Sequence, residues 1–564
     1  MRDTLRILIV GGYGTFGGRI IELLENTPRL TLIVAGRDVR KAEAFCAARP
    51  QMRADLVPAA FDRDGDVPEQ LSELRPDLLI DASGPFQGYG DERYRIVKAC
   101  LRGGIDYLDL ADGSDFVAGI VAFDELAQRT DRFVLSGVSS FPVLTAAVVR
   151  RLSSGMARVD VIRGGIAPSP YAGVGENVIR AIASYAGKPV AVKKDGEAAT
   201  AYPFTEHRRY TIAPPGRVPL QPRLFSLVDV PDLRVMTELW PEARTVWMGA
   251  APVPEILHRA LSGLSWLVRI GLIPKLSPLA RLMHFSTNHL RWGEHRGGMF
   301  VAVEGVDGTG APVGRSWHLL AEGDDGPLIP SMAVEAIIRQ LLDGRPPLSG
   351  ARAAVGDVEL EDYERIFAGR TIETGVRDDV PDKGCPLYAR ILGSAWQDLP
   401  AEIRRMHDGT IEAAGRASVE RGRNPLARLV AAIVGFPEAS ADTPVHVRFE
   451  VSEGVETWTR TFGTKRFSSR QFAGEGAWSR LLSERFGPLT FGIALVSEGE
   501  RLSLVLRRWS VFGVPMPMWL CPFSKTFETR EEGRFCFHVE LSHPLFGLVV
   551  RYRGWLIPLI KTET

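Results

Sequence analysis

Gly12, Gly14 and Gly17 stand at G-x-G-x-x-G spacing inside Gly11-Gly12-Tyr13-Gly14-Thr15-Phe16-Gly17-Gly18. Glycines at this spacing let a chain turn sharply, bring its backbone close to a pyrophosphate and pack the next helix tightly on the preceding strand. The first residues of that helix then offer free N–H groups and the positive end of its dipole to phosphates. Arg37 lies twenty residues beyond Gly17, with Arg40 and Lys41 close behind. An acid at that place would accept from the 2′-hydroxyl of NAD, whereas a guanidinium suits a 2′-phosphate, so NADP is the expected cofactor. Chemistry on such a cofactor needs only an oriented substrate and a proton supply from the protein. Tyr89, Asp109 and Asp112 are the candidate proton donors. Each also has a structural reading: Tyr89 as a packing residue, the acids as caps or turn residues. The Tyr185-Ala186-Gly187-Lys188 run reads as a helix stop, and no His or Cys spacing suggests a metal, so none is expected.

These residues need an alternating α/β scaffold. Ile7-Leu8-Ile9-Val10 reads as a strand buried on both faces, and Ile20, Ile21, Leu23 and Leu24 recur at helical spacing after the glycines. A second strand, Leu30–Ala35, ends at Gly36-Arg37. A third, Leu56–Asp62, places Phe61 and Asp62 beside the adenine. A fourth, Asp77–Ala82, opens into Ser83-Gly84-Pro85-Phe86-Gln87-Gly88-Tyr89-Gly90, expected to pass the nicotinamide half of the cofactor. Strands near Tyr107–Leu110 and Phe133–Ser136 complete a doubly wound parallel sheet of about six strands, a Rossmann domain over 1–140. The expected cofactor contacts are Gly12, Tyr13, Gly14, Thr15, Phe16, Gly17, Arg37, Arg40, Asp62, Ser83, Gly84, Pro85 and Phe86.

The glycine run, Ala35-Gly36-Arg37, the Ser83–Gly90 loop and Tyr107-Leu108-Asp109-Leu110 together resemble the saccharopine dehydrogenase-like family, in its saccharopine reductase fold. The resemblance extends to about residue 375 through Arg315–Leu320 and Gly326–Pro330. It implies NADP-dependent oxidoreduction and a second α/β domain, 141–375, that supplies the substrate pocket and forms a homodimer. Members of the family act on imines, carbonyls or enoyl groups, so the implied substrate is a small or lipid-like molecule with a C=N, C=O or activated C=C bond. In this domain Phe300–Val306 alternates at period two before an Asp307-Gly308 turn, with Gly314–Leu320 as its partner strand.

Residues 256–292 hold five Arg or Lys and no acid, with Trp266 and Trp292 among leucines at helical spacing. Such a stretch either lies on an anionic membrane surface or packs by its apolar face with arginines snorkelling outward. Asp378–Gly384 is turn-rich and reads as a linker, placed at 376–384. Beyond it, 385–564 reads as helices at 387–392, 399–407 and 425–434, then six antiparallel strands that curl around an apolar pocket or close on a helix: a β-rich α+β domain. Leu399-Pro400, Trp458-Thr459-Arg460, Glu484–Leu489 and Tyr552–Trp555 resemble a bacterial domain family of unknown function, which transfers no chemistry.

Lys plus Arg and Asp plus Glu both number 68, so no bulk charge draws nucleic acid. Five scattered cysteines fit a reducing compartment, and the chain starts within a few residues of its first strand, so a cytoplasmic protein without a signal peptide is expected. Two other functions fit these features: a non-catalytic NADP-binding regulator or scaffold, and a lipid-binding protein whose Rossmann half is structural.

Overall fold

The computed structural model describes residues 4–380 and 384–559. The chain divides into two compact units, Met1–Arg208 with Arg223–Glu373, and Arg209–Pro222 with Thr374–Thr564. In the first unit, β1 (Leu5–Val10), β2 (Leu30–Gly36), β3 (Asp55–Ala60), β4 (Leu78–Asp81), β5 (Asp106–Asp109) and β6 (Phe133–Ser136) form a parallel sheet. Their order is β6, β5, β4, β1, β2, β3. Ile7, Leu8 and Ile9 are fully buried, as a strand covered by helices on both faces requires. Helix α1 (Thr15–Leu24) follows β1 and buries Ile20, Ile21, Leu23 and Leu24, the residues its spacing predicts.

A seventh strand, Gly350–Ala353, pairs in parallel with β6. The sheet therefore closes more than two hundred residues after the boundary expected at 140. A four-residue Gly-Ala-Arg-Ala strand at a sheet edge, with its last two residues half-buried, carries no periodic signal.

The rest of this unit centres on a mixed sheet in which Met156–Ala167 runs parallel to Thr245–Ala250 and antiparallel to Gly297–Asp307. Gly297–Asp307 returns as Pro312–Ala321 around Asp307, whose Oδ1 accepts from the N–H groups of Thr309 and Ala311, so the predicted hairpin forms. Residues 256–292 contain helices Glu255–Arg269 and Ala280–His289. The first buries His258, Ser262, Ser265 and Val268, while Ile256, Trp266, Ile270, Leu272, Leu282 and Phe285 stand exposed. Leu257, Leu261, Leu264 and Leu267 of the expected apolar face are half-buried between these two sets. Among the described residues, no helix is long and apolar enough to cross a membrane.

Among the described residues the sheet of the second unit has eleven strands, not six, and ten of them close into an up-and-down antiparallel barrel. The five the alternation does not show are the two-residue Val514–Pro515 outside the barrel and, within it, Ile411–Arg421, Lys465–Ala473, Leu482–Phe486 and Phe523–Glu531, the last four being full strands. Their inward positions hold Ala413, Ala417, Ser469, Gln471, Glu484 and Glu528, all buried, so the period of two is present with a weakened hydrophobic signature. The expected linker begins inside a strand, Ile372–Asp378, and its residues 381–383 lie outside the described ones. Arg377 is buried there, donating to the carbonyl oxygens of Ala213 at 2.5 Å and Ile391 at 2.7 Å. Burial lowers its pKa to about 9.

Candidate active site

The strand order reverses between β1 and β4, so the loops at their carboxyl ends flank the crevice where open α/β sheets bind ligands. The turn after β1 is made by Gly11, at φ +78°, a conformation that costs a side-chain-bearing residue energy. Its amide and that of Gly12 donate to Ala35 O at 2.8 and 3.0 Å, pinning the turn to β2. A Cβ at Gly11 would lie 3.0 Å from Ala82 O and Ser83 Cα, so the two crevice loops touch there. At Gly17 a Cβ would collide with the carbonyl oxygen of Gly11 and lie 2.6 Å from Gly12 Cα, so only glycine lets α1 seat on the turn. Gly14 is the N-cap of α1 and no side chain caps the helix, which leaves its first amides for an anion.

The predicted cofactor residues divide around this cradle. Gly12, Gly14, Thr15, Phe16 and Gly17 form it. Tyr13 leans across Gly36, and its hydroxyl accepts from Asp38 N–H at 3.1 Å. Asp38 accepts from Arg40 N–H as the cap of the next helix, while the side chains of Arg37 and Arg40 are exposed at the end of β2. The acid near the ribose position is thus engaged and the cations are accessible, which fits a 2′-phosphate. Asp62 is exposed, and its carboxylate accepts from Asp64 N–H within its own loop, while Gln70 clasps its backbone. Ser83, Gly84 and Pro85 line the crevice edge, and Asn177 of the second domain donates to Gly84 O at 2.8 Å. Phe86 is corrected from a cofactor contact to a core residue: it is buried against Phe116 and Tyr89, at ring-centroid distances of 5.0 and 5.1 Å.

The three candidate donors have different surroundings. Ser83 Oγ donates to Asp81 Oδ1 at 2.5 Å and lies 2.7 Å from Tyr89 Oη, so Tyr89 donates inward to Ser83. Burial first, and then the Asp81 carboxylate, hold the Tyr89 proton above the ordinary phenol range. The Arg63 guanidinium lies 3.0 Å over its ring. The Tyr89 hydroxyl is thus engaged by Ser83 and its proton is committed to that bond. Asp109 as donor is corrected. It is fully buried, and its Oδ1 accepts from Gly137 N–H, Ser136 Oγ and Ala111 N–H at 2.8, 2.9 and 3.0 Å, which ties β5 to β6. Burial raises its pKa to about 7, and Oδ2 has no partner.

Asp112, unlike Asp109, is partly exposed. It lies in the loop after β5 and accepts from Gln87 Nε2 at 3.0 Å. Its pKa is raised, first by burial, with the like charge of Asp229 adding. Asp229 accepts from Ser114 Oγ at 2.6 Å and is itself raised by burial. Tyr185, the last residue of helix Glu176–Tyr185, is held well above the ordinary phenol range by burial and by both carboxylates. Asp112, Asp229 and Tyr185 thus form one electrostatic group drawn from both halves of the first unit. Asp229 has no motif around it that marks it in the sequence, and Tyr185 stands where the sequence reads only as a helix stop, over forty residues away.

Residues 7–135 match the family model described as the saccharopine dehydrogenase NADP binding domain, and residues 399–556 match the domain of unknown function DUF4166. No match to this sequence is found among curated proteins. Similar solved structures include apo saccharopine dehydrogenase (L-Glu forming) from Saccharomyces cerevisiae, at 14% identity and TM-score 0.46, over 66% of this chain and 99% of that one. The WlbA dehydrogenase of Thermus thermophilus, in complex with NAD and α-ketoglutarate, is 15% identical with TM-score 0.28, over 61% of this chain and 90% of that one. Biliverdin reductase from Synechocystis, in complex with biliverdin and NADP+, is 11% identical with TM-score 0.29, over 64% of this chain and 94% of that one.

Proposed function

Taking residues 7–135 as a saccharopine dehydrogenase NADP-binding domain, hence part of an NAD(P)-dependent oxidoreductase, we propose that the protein is an NADPH-dependent reductase. Its substrate is a small or lipid-like molecule with a C=N, C=O or activated C=C bond. The observation that carries the cofactor preference is the end of β2, where Arg37 is exposed and the neighbouring acid, Asp38, is engaged as a helix cap.

NADPH, when bound, supplies the hydride. The amides at the start of α1 hold its pyrophosphate, and Arg37 and Arg40 hold its 2′-phosphate. Ser83, fixed by Asp81, keeps the second crevice loop in place. Asp112 supplies the proton. Burial and Asp229 favour its neutral form, while Gln87 orients it by engaging Oδ1.

Calorimetric titration with NADPH and NADH tests the cofactor reading. Arg37→Asp should weaken NADPH binding by about thirtyfold, the scale of one lost charged contact, and leave NADH within about threefold. Equal loss for both would refute the 2′-phosphate role.

A further inference from the structure

The barrel of the second unit has two unlike ends. Its sequence-adjacent strands run antiparallel, so connections fall alternately at one end and the other. One end is plugged. Helices Leu387–Leu392 and Ala401–Met406 pack against its strands, and His407 is buried beneath them with Nε2 2.7 Å from Glu528 Oε2. Tyr388 stacks on the His407 ring at 3.8 Å and donates to Gln471 Oε1 at 3.1 Å.

The other end is rimmed by large exposed apolar side chains. Phe512, Val514, Met518, Trp519, Phe523 and Leu545 stand on or beside its connections, and the helix Pro425–Val434 adds Leu426 and Leu429. Phe512 is 83% and Trp519 75% exposed, values that an isolated soluble surface has no reason to keep clustered. Charge is also divided. Connections at this end carry Arg423 and Arg428 against Glu438, whereas those at the plugged end carry Glu453, Glu475, Glu500 and Glu532 against Arg480.

Between the ends runs a cavity of about 190 Å³, walled by Phe449, Phe491, Leu504, Phe535 and Leu541 and reaching Val430 and Val434 at the rim. The charged groups in its wall are paired, Arg460 with Glu484 at 3.1 Å and Glu528 with His407 of the plug. The enclosed part of an occupant is therefore uncharged hydrocarbon. The volume somewhat exceeds the roughly 150 Å³ of an engineered apolar cavity that holds benzene, which admits one slender chain and not two side by side.

We propose that the barrel binds a lipid with a single hydrocarbon chain, acyl or isoprenoid, and that its apolar, basic rim docks on an anionic bilayer from which the chain enters. Cavity, rim and charge division all lie within the second unit, so the proposal stands apart from the reductase reading. The rim inserts aromatic and aliphatic groups at the acyl boundary while Arg423 and Arg428 meet anionic headgroups. The acidic end points away.

The test uses the full chain, with the fluorescent fatty acid cis-parinaric acid as chain probe and vesicles of phosphatidylcholine, with and without an equal share of phosphatidylglycerol. Saturable fluorescence, competed by palmitate, is expected. Leu506→Trp, which fills the cavity beneath the rim, should weaken it by about tenfold. The paired change Phe512→Glu and Trp519→Glu should leave the probe bound and reduce partition onto anionic vesicles by about tenfold or more. Because a cavity-filling variant can misfold, a diazirine-bearing palmitate photolabels the natural chain in parallel; adducts should fall on peptides spanning 489–511 and 523–543. Unsaturable fluorescence, adducts confined to the exposed helices at 255–289, equal partition onto neutral vesicles, or partition unmoved by the rim changes would each overturn the proposal.

Discussion

In the Rossmann sheet the cradle after β1 is built of backbone, whereas the barrel cavity is walled by side chains. The cradle after β1 is amides and glycines compressed into seven residues, Gly11 to Gly17. The barrel cavity draws its wall from strands spread over more than a hundred residues, one or two inward positions at a time. A backbone site admits almost no substitution, because its geometry forbids a Cβ. A side-chain site tolerates exchange of equal volume and fails only when space is filled or emptied.

That contrast can be broken. Gly17→Val forces a side chain into the carbonyl of Gly11 and should abolish detectable NADPH binding while costing about 1–3 kcal/mol of stability, read by calorimetry and thermal melting. If NADPH still binds at wild-type strength, the cradle is not a backbone site. Asp112→Asn sharpens the comparison, since it changes chemistry and not the cradle. Turnover of any reducible substrate should fall about a hundredfold with NADPH affinity within about twofold. In the barrel, a volume-conserving Leu504→Met should leave parinaric acid binding within about threefold, in contrast to the loss expected for Leu506→Trp.

A smaller effect separates structural from catalytic carboxyls. Asp109 and Asp232 are fully buried, and burial raises both to about 7. Carboxyls in an unfolded chain titrate near pH 3.9, so across the interval the folded state binds more protons. Their stabilising contribution is complete below the unfolded value and is lost as pH rises through about 7. The first unit should melt at a higher temperature at about pH 5 than at about pH 8. Asp109→Asn should narrow that difference, and an unchanged pH slope would show that Asp109 does not carry it.

Legibility in the sequence followed the same division. Gly12, Gly14, Gly17 and the face of α1 were readable because local spacing alone fixes a turn followed by a helix. Gly11 holds the positive φ, a role the sequence does not assign, since two adjacent glycines do not reveal which one turns. Phe86 and Asp109 misled because the loop and strand end carrying them do reach the crevice, while their side chains turn back into the core. Only tertiary packing decides that. Asp229 and Tyr185 join Asp112 through the docking of the second α/β domain, to which no local pattern refers. The helices before the barrel were read nearly to their ends, yet strands with Ala, Ser and Gln inside were invisible to a hydrophobic count.

The segment Arg209–Pro222 belongs to the barrel's unit, although the chain around it belongs to the other. During synthesis it emerges well before Arg377, whose guanidinium later binds the Ala213 carbonyl. The chain must therefore carry fourteen residues of one unit through the folding of its neighbour, and neither unit matures in a single uninterrupted stretch of translation. A cut at residue 373 would strand that segment without the partners it was built to meet. Separating the two units by simple truncation is thus closed off, and point substitutions are the way to disable one and keep the other.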